Sequence, residues 1–250
     1  MAYTCILLRH GQSQWNLENR FTGWVNVPLS PQGITEAATA GKMLKEAGLI
    51  PKAAFTSYLQ RAIKTLWLAL EEAECMHIPV EKSWRLNEKH YGALQGLDKS
   101  ETAAKYGEEQ VLLWRRGYDV QSPALDAKDS QHPANQVIYR GIDPALLPAT
   151  ESLKDTLHRL LPFWENHIVP SLKEHKTIVV AAHGNSLRAI VQHVKGLSND
   201  EILKLNIPTG VPYVFELNEE GKYLRDRYLL DEQELEARLQ EVANQGKARS

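Results

Sequence analysis

The chain is 250 residues long, which is enough to bury a sizeable core as one large domain or two small ones. Its 29 Lys and Arg residues nearly balance its 31 Asp and Glu residues, and the resulting net charge of −2 argues against a general nucleic-acid or membrane-surface binder. The 2 cysteines are too few for a disulfide framework or a four-cysteine zinc site, and the apolar run Cys5–Leu8 is too short for a signal peptide or a membrane span, so we expect a cytoplasmic protein.

The first predicted strand leads directly into a histidine. The apolar segment Tyr3–Leu8 is followed by Arg9-His10-Gly11, and a short apolar run stopped by glycine is typical of a buried strand. A polar and aromatic loop then covers 12–29. Ser30, with proline at the next position, predicts the start of a helix that ends near Gly48.

A second strand and helix follow over 53–75. Ala53–Thr56 is predicted to be a strand, and Ser57 is predicted to cap a helix that runs to about Cys75. Arg61 then falls in the opening turns of that helix. From 84 to 148 the pattern loosens and includes four prolines, which predicts a loop-rich excursion with short helices and not a separate domain.

The alternation of strands and helices returns in the last hundred residues. Helical periodicity begins at Ser152 and is interrupted by Pro162, and the strand Thr177–Ala182 stops at His183-Gly184. Further elements are then expected in this order: a helix to Gly196, a short helix with the capping-box pattern Ser198–Glu201, a strand Val211–Leu217, a helix Asp231–Ala243 and a flexible tail over 244–250.

This order of elements predicts an α/β fold, in which helices flank a mainly parallel central sheet. Ligands of such sheets bind outside the carboxyl ends of the strands. The rule selects His10 and His183, because each closes a predicted strand and is followed by a glycine that permits close backbone approach. Imidazole can act as nucleophile, acid or base near neutral pH, although a histidine at a strand end can equally be a satisfied loop residue.

Arginines near these positions favour a phosphorylated ligand. Arg9 adjoins His10, Arg61 lies near a helix start, and Arg115-Arg116 lies in the irregular middle of the chain. Guanidinium groups match phosphate oxygens in a bidentate manner, while the alternative is that these are solvated surface charges. Glu88 alone carries no specific signal. The histidines lack the spacing of a metal site, and the motifs for nucleotide binding and for a serine hydrolase are absent from the sequence.

Together, these residues resemble a known family. Arg9-His10-Gly11 matches the signature of the histidine phosphatase superfamily, and a longer ordered set resembles the cofactor-dependent phosphoglycerate mutases. The set comprises Leu8–Ser13, Phe21–Trp24, Glu88–Gly96, Trp114–Arg116, Glu151–Thr156, His183–Ser186 and Asn206–Gly210. The resemblance runs from Tyr3 to the C-terminal tail and implies a single domain over 1–250.

The resemblance implies a role for each matching residue. His10 would be the nucleophile, His183 would stabilise the phosphoryl group, Arg9 and Arg61 would bind it, and Glu88 would be the general acid and base. Phosphate contacts would come from Ser13, Asn16, Thr22, Gly23, Gly184 and Asn185, and the substrate carboxylate and its second phosphate would be held by Tyr91, Lys99, Arg115 and Arg116. Gln12 departs from the glutamate of many relatives, and we expect it at the pocket rim.

The implied activity is the interconversion of 3-phosphoglycerate and 2-phosphoglycerate in glycolysis and gluconeogenesis, primed by 2,3-bisphosphoglycerate without a metal. The alternative is a relative whose main activity is bisphosphoglycerate synthesis or hydrolysis, although Thr22-Gly23 matches the mutases better. The implied partners are small phosphorylated glycerates and further copies of the chain, as a homodimer or homotetramer. Lys247 and Arg249 make the tail a candidate lid over the phosphates.

Overall fold

The computed structural model describes residues 2–244. Its strands are β1 (Tyr3–Arg9), β2 (Ala53–Thr56), β3 (Val80–Lys82), β4 (Thr177–Ala182), β5 (Pro212–Leu217) and β6 (Tyr223–Tyr228). Its helices are α1 (Gln14–Leu17), α2 (Pro31–Glu46), α3 (Gln60–Glu72), α4 (Lys99–Tyr106), α5 (Glu108–Arg116), α6 (Leu153–Phe163), α7 (Val169–His175), α8 (Gly184–Lys195), α9 (Asn199–Lys204) and α10 (Glu232–Asn244).

The six strands form one sheet in the order β3-β2-β4-β1-β5-β6. β3, β2, β4 and β1 pair in parallel, whereas β5 and β6 are antiparallel additions at one side. The predicted α/β class with a mainly parallel sheet is therefore confirmed.

Helices cover both faces of the sheet. Side chains along β1 alternate, so that Cys5 and Leu7 pack into one apolar cluster while Ile6 and Leu8 pack into the other. The first cluster lies under α6, α7 and α8, and the second lies under α2 and α3. A strand buried on both faces in this way reads as a continuous apolar run, which is why the sequence reveals it.

Helix ends at α2 and α8 follow the predicted signals. Ser30 accepts a hydrogen bond from the Gly33 N–H and caps α2, and Gly196 ends α8 in the left-handed conformation. Pro162, which was predicted to interrupt its helix, lies inside α6, and a π-helical turn continues the chain directly into α7. The prediction that Ser57 caps the next helix is wrong, because α3 has Leu59 at its cap position. Ser57 lies one turn earlier, where its Oγ accepts from the Leu59 N–H.

The segment between β3 and α6 contains α4, α5 and several short 3-10 turns. Its aromatic side chains Trp84 and Tyr139 pack with Trp24 from the first loop, so that the segment closes over one end of the sheet. Residues 245–250, including the predicted lid residues, lie outside the described part of the chain. No helix within 2–244 has the length and apolar character that crossing a membrane requires.

Candidate active site

The site lies at the carboxyl ends of β1 and β4. These strands pair in parallel with Arg9 opposite Ala182, and the His10 N–H donates to the Ala182 carbonyl at 3.0 Å. The next residue on each strand is therefore placed at the same sheet edge. The rings of His10 and His183 lie 5.0 Å apart, centroid to centroid, in an edge-on arrangement. Two histidines 173 positions apart in the chain thus become neighbours because of the strand register.

A close backbone approach fixes the loop after His10. A Cβ atom on Gly11 would lie 2.1 Å from the Gly33 carbonyl oxygen at the start of α2. No side chain fits in that gap, so glycine is required for the loop to lie on the helix.

The protonation of His10 is set by its two ring nitrogens. Nδ1 lies 2.7 Å from the Gly11 carbonyl oxygen, which can only accept, so Nδ1 carries the proton. Nε2 then keeps its lone pair and accepts from the Arg61 Nε–H at 3.3 Å. Burial, followed by the charges of Arg61 and Arg9, holds the pKa of His10 well below its usual range. The neutral imidazole therefore presents a nucleophilic nitrogen at Nε2.

His183 is held by a serine from the end of β2. Its Nε2 lies 2.8 Å from the Ser57 Oγ, whose other contact is the N–H of Leu59. In the neutral tautomer whose Nε2 accepts from the Ser57 Oγ–H, the ring proton lies on Nδ1. Nδ1 is buried and has no hydrogen-bond partner within residues 2–244. Burial and the nearby arginine charges lower the pKa of His183 as well.

The two arginines beside the histidines are anchored by backbone carbonyls. Arg61 donates to the carbonyls of Val25 and Gly23 at 2.9 and 2.8 Å, and Arg9 donates to the carbonyl of Ile207 at 2.6 Å. Both guanidinium groups are thus fixed before a ligand arrives. Burial lowers the pKa of Arg61 to about 10, which reflects the cost of holding its charge away from water.

Glu88 faces the N-terminus of α8. Its Oε1 accepts from the Lys89 N–H at 2.8 Å and from the Asn185 N–H at 3.0 Å. A Cβ on Gly184 would lie 3.6 Å from the Glu88 Oε2 and 3.5 Å from the Arg9 guanidinium, so these three groups converge. The dipole of α8 is positive at the N-terminus of the helix and favours a carboxylate at this position.

The pocket brings most of the predicted site residues together. The members that line it are Arg9, His10, Asn16, Thr22, Gly23, Arg61, Glu88, Tyr91, Lys99, Arg115, Arg116, Gly184 and Asn185. Ser13 and His183 are fully buried behind the lining, and Ser13 caps α1. Gln12 is not at the pocket rim as expected, because its side chain turns to Ser30 and accepts from the Ser30 Oγ at 2.8 Å.

Two further cations, which were not predicted as site residues from the sequence, also line the pocket. Arg20 donates to the Gly96 carbonyl at the mouth, and Arg188 donates to the Asn185 Oδ1 at 2.7 Å. Arg188 lies one helical turn after Gly184 in α8, a spacing that places both on one face and could have revealed it.

Positive charge dominates this pocket. Seven Arg and Lys side chains but one carboxylate, Glu88, occur among the described lining residues. Burial lowers the pKa of Arg115 and Arg188 to about 10 each and lowers that of Lys99 well below its usual range. A bound polyanion would offset the cost of burying these charged side chains and would reduce the repulsion between them. The empty space of about 660 Å³, with the open mouth included, suits a small molecule.

No group of three or more His, Cys, Asp or Glu side chains that could hold a metal occurs in the described residues.

Comparisons with known proteins place the chain in a family. The sequence matches the histidine phosphatase superfamily (branch 1) over residues 5–140 and 125–228. It is 56% identical over 246 residues to a 2,3-bisphosphoglycerate-dependent phosphoglycerate mutase of Hydrogenobaculum sp., which covers 98% of this chain and 100% of the relative. The chain belongs to the 2,3-bisphosphoglycerate-dependent phosphoglycerate mutase family. This confirms the resemblance that the sequence motifs predict.

Solved structures of other proteins share the fold of this chain. A mycobacterial glucosyl-3-phosphoglycerate phosphatase with VO3 aligns with a TM-score of 0.68 and 23% identity, covering 92% of this chain and 98% of the other. A phosphoglycerate mutase from Bacillus anthracis aligns with a TM-score of 0.63 and 20% identity, covering 89% and 91%. At these identities the likeness bears on the fold alone.

Proposed function

We propose that this chain interconverts 3-phosphoglycerate and 2-phosphoglycerate through a phosphohistidine on His10, primed by 2,3-bisphosphoglycerate. The observation that carries the proposal is the neutral His10, whose Nε2 lies beside Arg61 in a pocket lined by seven cations. The family membership supports the same reaction. The chain then works in glycolysis and gluconeogenesis.

Phosphoryl transfer begins at His10. Its Nε2 lone pair forms a bond to the phosphorus of the donor, and the phosphorus–oxygen ester bond breaks. The three equatorial oxygens carry the charge of the transition state, and Arg9 and Arg61 lie where fixed cations can stabilise it. In the tautomer with its proton on Nδ1, His183 can donate from that nitrogen, which has no partner within residues 2–244, to one of these oxygens.

Glu88 moves the proton. Its carboxylic acid gives a proton to the leaving oxygen when His10 is phosphorylated. In the return step the carboxylate takes the proton of the attacking hydroxyl, and that oxygen receives the phosphoryl group from His10. Phosphorylation of the free hydroxyl of one phosphoglycerate gives 2,3-bisphosphoglycerate. This intermediate then gives the phosphoryl group on its other oxygen to His10 and receives the proton from Glu88, so the other isomer is released with no net change in protons.

The remaining polar groups hold the rest of the substrate. Tyr91, Lys99, Arg115 and Arg116 are proposed to bind the carboxylate and the phosphate that does not react. Contacts around the transferred phosphate are assigned to Ser13, Asn16, Thr22, Gly23, Gly184 and Asn185. Ser13 would act from behind the lining by capping the helix that presents Asn16. Charge neutralisation by these cations requires no metal ion.

The assembly and the location are proposed on separate grounds. Strand β3 lies at the sheet edge with all three residues exposed, and Trp67 on the neighbouring α3 is 46% exposed. Edge pairing of β3 with a second copy would cover both in a homodimer, which could assemble further into a homotetramer. Light scattering with Trp67→Glu as the comparison tests this.

Because phosphoglycerates are multiply charged and do not cross bilayers unaided, we place the enzyme in the cytoplasm where they form.

The deciding experiment combines turnover with mapping of the phosphoenzyme. Conversion of 3- to 2-phosphoglycerate should depend on added 2,3-bisphosphoglycerate, and brief incubation with the labelled compound should leave acid-labile phosphate on the peptide that contains His10. Label on the His183 peptide would overturn the assignment. Hydrolysis of the bisphosphate faster than isomerisation would favour the phosphatase alternative.

A further inference from the structure

The loop that carries Glu88 is held by a buried ion pair that does not line the pocket. Glu88 follows the 3-10 turn Trp84–Leu86 and belongs to no strand or helix. The groups that fix its backbone come from Arg159 in α6 and from Glu151, two residues before that helix. Arg159 is 7% exposed and Glu151 is 2% exposed.

Arg159 binds the carbonyl groups on the N-terminal side of this loop. Its Nη1 donates to the Arg85 carbonyl at 2.5 Å, and its Nη2 donates to the carbonyls of Asn87 and Glu88, each at 2.9 Å. The Trp24 Nε1–H also donates to the Glu88 carbonyl, and the Arg159 guanidinium lies 5.3 Å from the Trp24 ring centroid. One guanidinium group thus binds three carbonyl groups of the loop.

Glu151 binds the other side of the loop. Its Oε2 accepts from the His90 N–H at 2.8 Å, while its own N–H donates to the His90 carbonyl at 2.9 Å. Its Oε1 accepts from the Arg159 Nε–H at 2.5 Å. The pair therefore holds the backbone at residues 85–88 and at residue 90, on both sides of the Glu88 side chain.

We propose that Arg159 and Glu151 are positioning residues that fix Glu88 for proton transfer, an inference that rests on the proposed function of Glu88. Among the hydrogen bonds formed within residues 2–244, the Glu88 carboxylate accepts only through its Oε1, from two backbone N–H groups, so its place depends on where the loop lies. A buried ion pair is weak evidence for stability, since an apolar pair of similar volume is often as stable. What an apolar pair cannot do is hold four carbonyl and amide groups of one loop in fixed directions.

The planar guanidinium is required for this task. It donates from Nε, Nη1 and Nη2 to Glu151 and to three loop carbonyls in fixed directions. A lysine keeps the charge but offers one ammonium centre on a flexible stem. Arg159→Lys should therefore keep the ion pair with Glu151 and lose the hydrogen bonds to the carbonyl groups of Asn87 and Glu88.

A double-mutant cycle tests the proposal. Arg159→Lys should lower kcat about 10- to 100-fold, since small misplacement of a reacting group has effects of this order, with KM changed less than about threefold. In the Glu88→Gln background the same substitution should change kcat less than about twofold, because the group it positions is already gone. Arg85→Lys is the matched control, as Arg85 donates to the Arg159 carbonyl from the same loop but binds neither Glu88 nor His90. It should keep kcat within about threefold.

The outcomes separate this proposal from the proposed function. If the fold-losses in kcat of Arg159→Lys and Glu88→Gln multiply in the double mutant, Arg159 does not act through Glu88. The positioning role is then refuted, while the mutase mechanism stands. If Glu88→Gln keeps a near-normal kcat, the proton-transfer assignment fails and the positioning role fails with it. Glu151→Gln keeps an acceptor for the His90 N–H and should show a smaller loss that is likewise absent in the Glu88→Gln background. If neither variant folds, the pair is a requirement of the fold and the proposal is wrong.

Discussion

Three buried histidines should make the stability of this protein fall steeply between pH 7 and pH 5. Burial lowers the pKa of His90 to about 3 and holds the pKa values of His10 and His183 well below the usual range. Nearby positive charges lower the pKa of each of these three histidines further. An imidazole in the unfolded chain has a pKa of about 6.5. As the pH falls below that value, the unfolded state takes up protons that the folded state does not, so the free energy of unfolding decreases.

The size of the decrease follows from proton linkage. An imidazole that stays neutral in the folded state and titrates at about 6.5 in the unfolded state loses about 2 kcal/mol of stabilisation between pH 7 and pH 5. His90, with a pKa of about 3, stays neutral in the folded state over this range and accounts for about 2 kcal/mol, and His10 and His183 change the stability in the same direction. The window lies above the range in which most carboxylates titrate, so the histidines dominate it.

Urea unfolding at pH 7, 6 and 5 measures this effect. His90→Asn should reduce the decrease by about 2 kcal/mol, because one buried imidazole is gone. His77→Gln, which replaces an exposed histidine, is the matched control and should leave the decrease intact. A total decrease below about 2 kcal/mol in the native sequence would show that these imidazoles take up protons inside the fold, and the argument for a neutral His10 nucleophile would lose its basis.

Three further outcomes are expected. Glu88→Gln should lower kcat about 10²- to 10⁴-fold with little change in KM, and a near-normal kcat would place the proton transfer elsewhere. Chelator treatment should leave isomerisation unchanged, because fixed cations neutralise the phosphates; strong inhibition that a divalent ion reverses would contradict this. Ser57→Ala should slow phosphorylation of His10 about 5- to 150-fold, since His183 loses a hydrogen bond of about 1–3 kcal/mol, whereas Ser57→Thr should restore most of the rate.

The sequence reveals the central strands better than the edges of the sheet. β1 and β4 are mostly apolar and were predicted almost to the residue. β3 and β6 were missed because edge strands keep polar, exposed residues such as those of Val80–Lys82 and cannot be told from loops by hydropathy.

The site shows a similar division. Strand-end histidines carry a local signal, and the family motifs supply the other lining residues. Ser57, Arg159 and Arg188 act through contacts with residues more than 60 positions away or on other elements, such as the Ser57 bond to His183. An arginine in a helix looks the same in the sequence whether it lies in water or under a loop, so only the fold identifies these residues.

The position of β1 in the sheet has a consequence for synthesis of the chain. β1 leaves the ribosome before the other five strands, yet it pairs only with β4 and β5, where Thr4 lies opposite Thr177 and Glu216. The strand therefore has no pairing partner until more than 170 further residues have been made. Pairings this distant in sequence slow folding and leave unpaired strand edges exposed. We expect nascent chains that end before β4 to be held by chaperones, and His10 to acquire His183 as a neighbour only after β4 has been made.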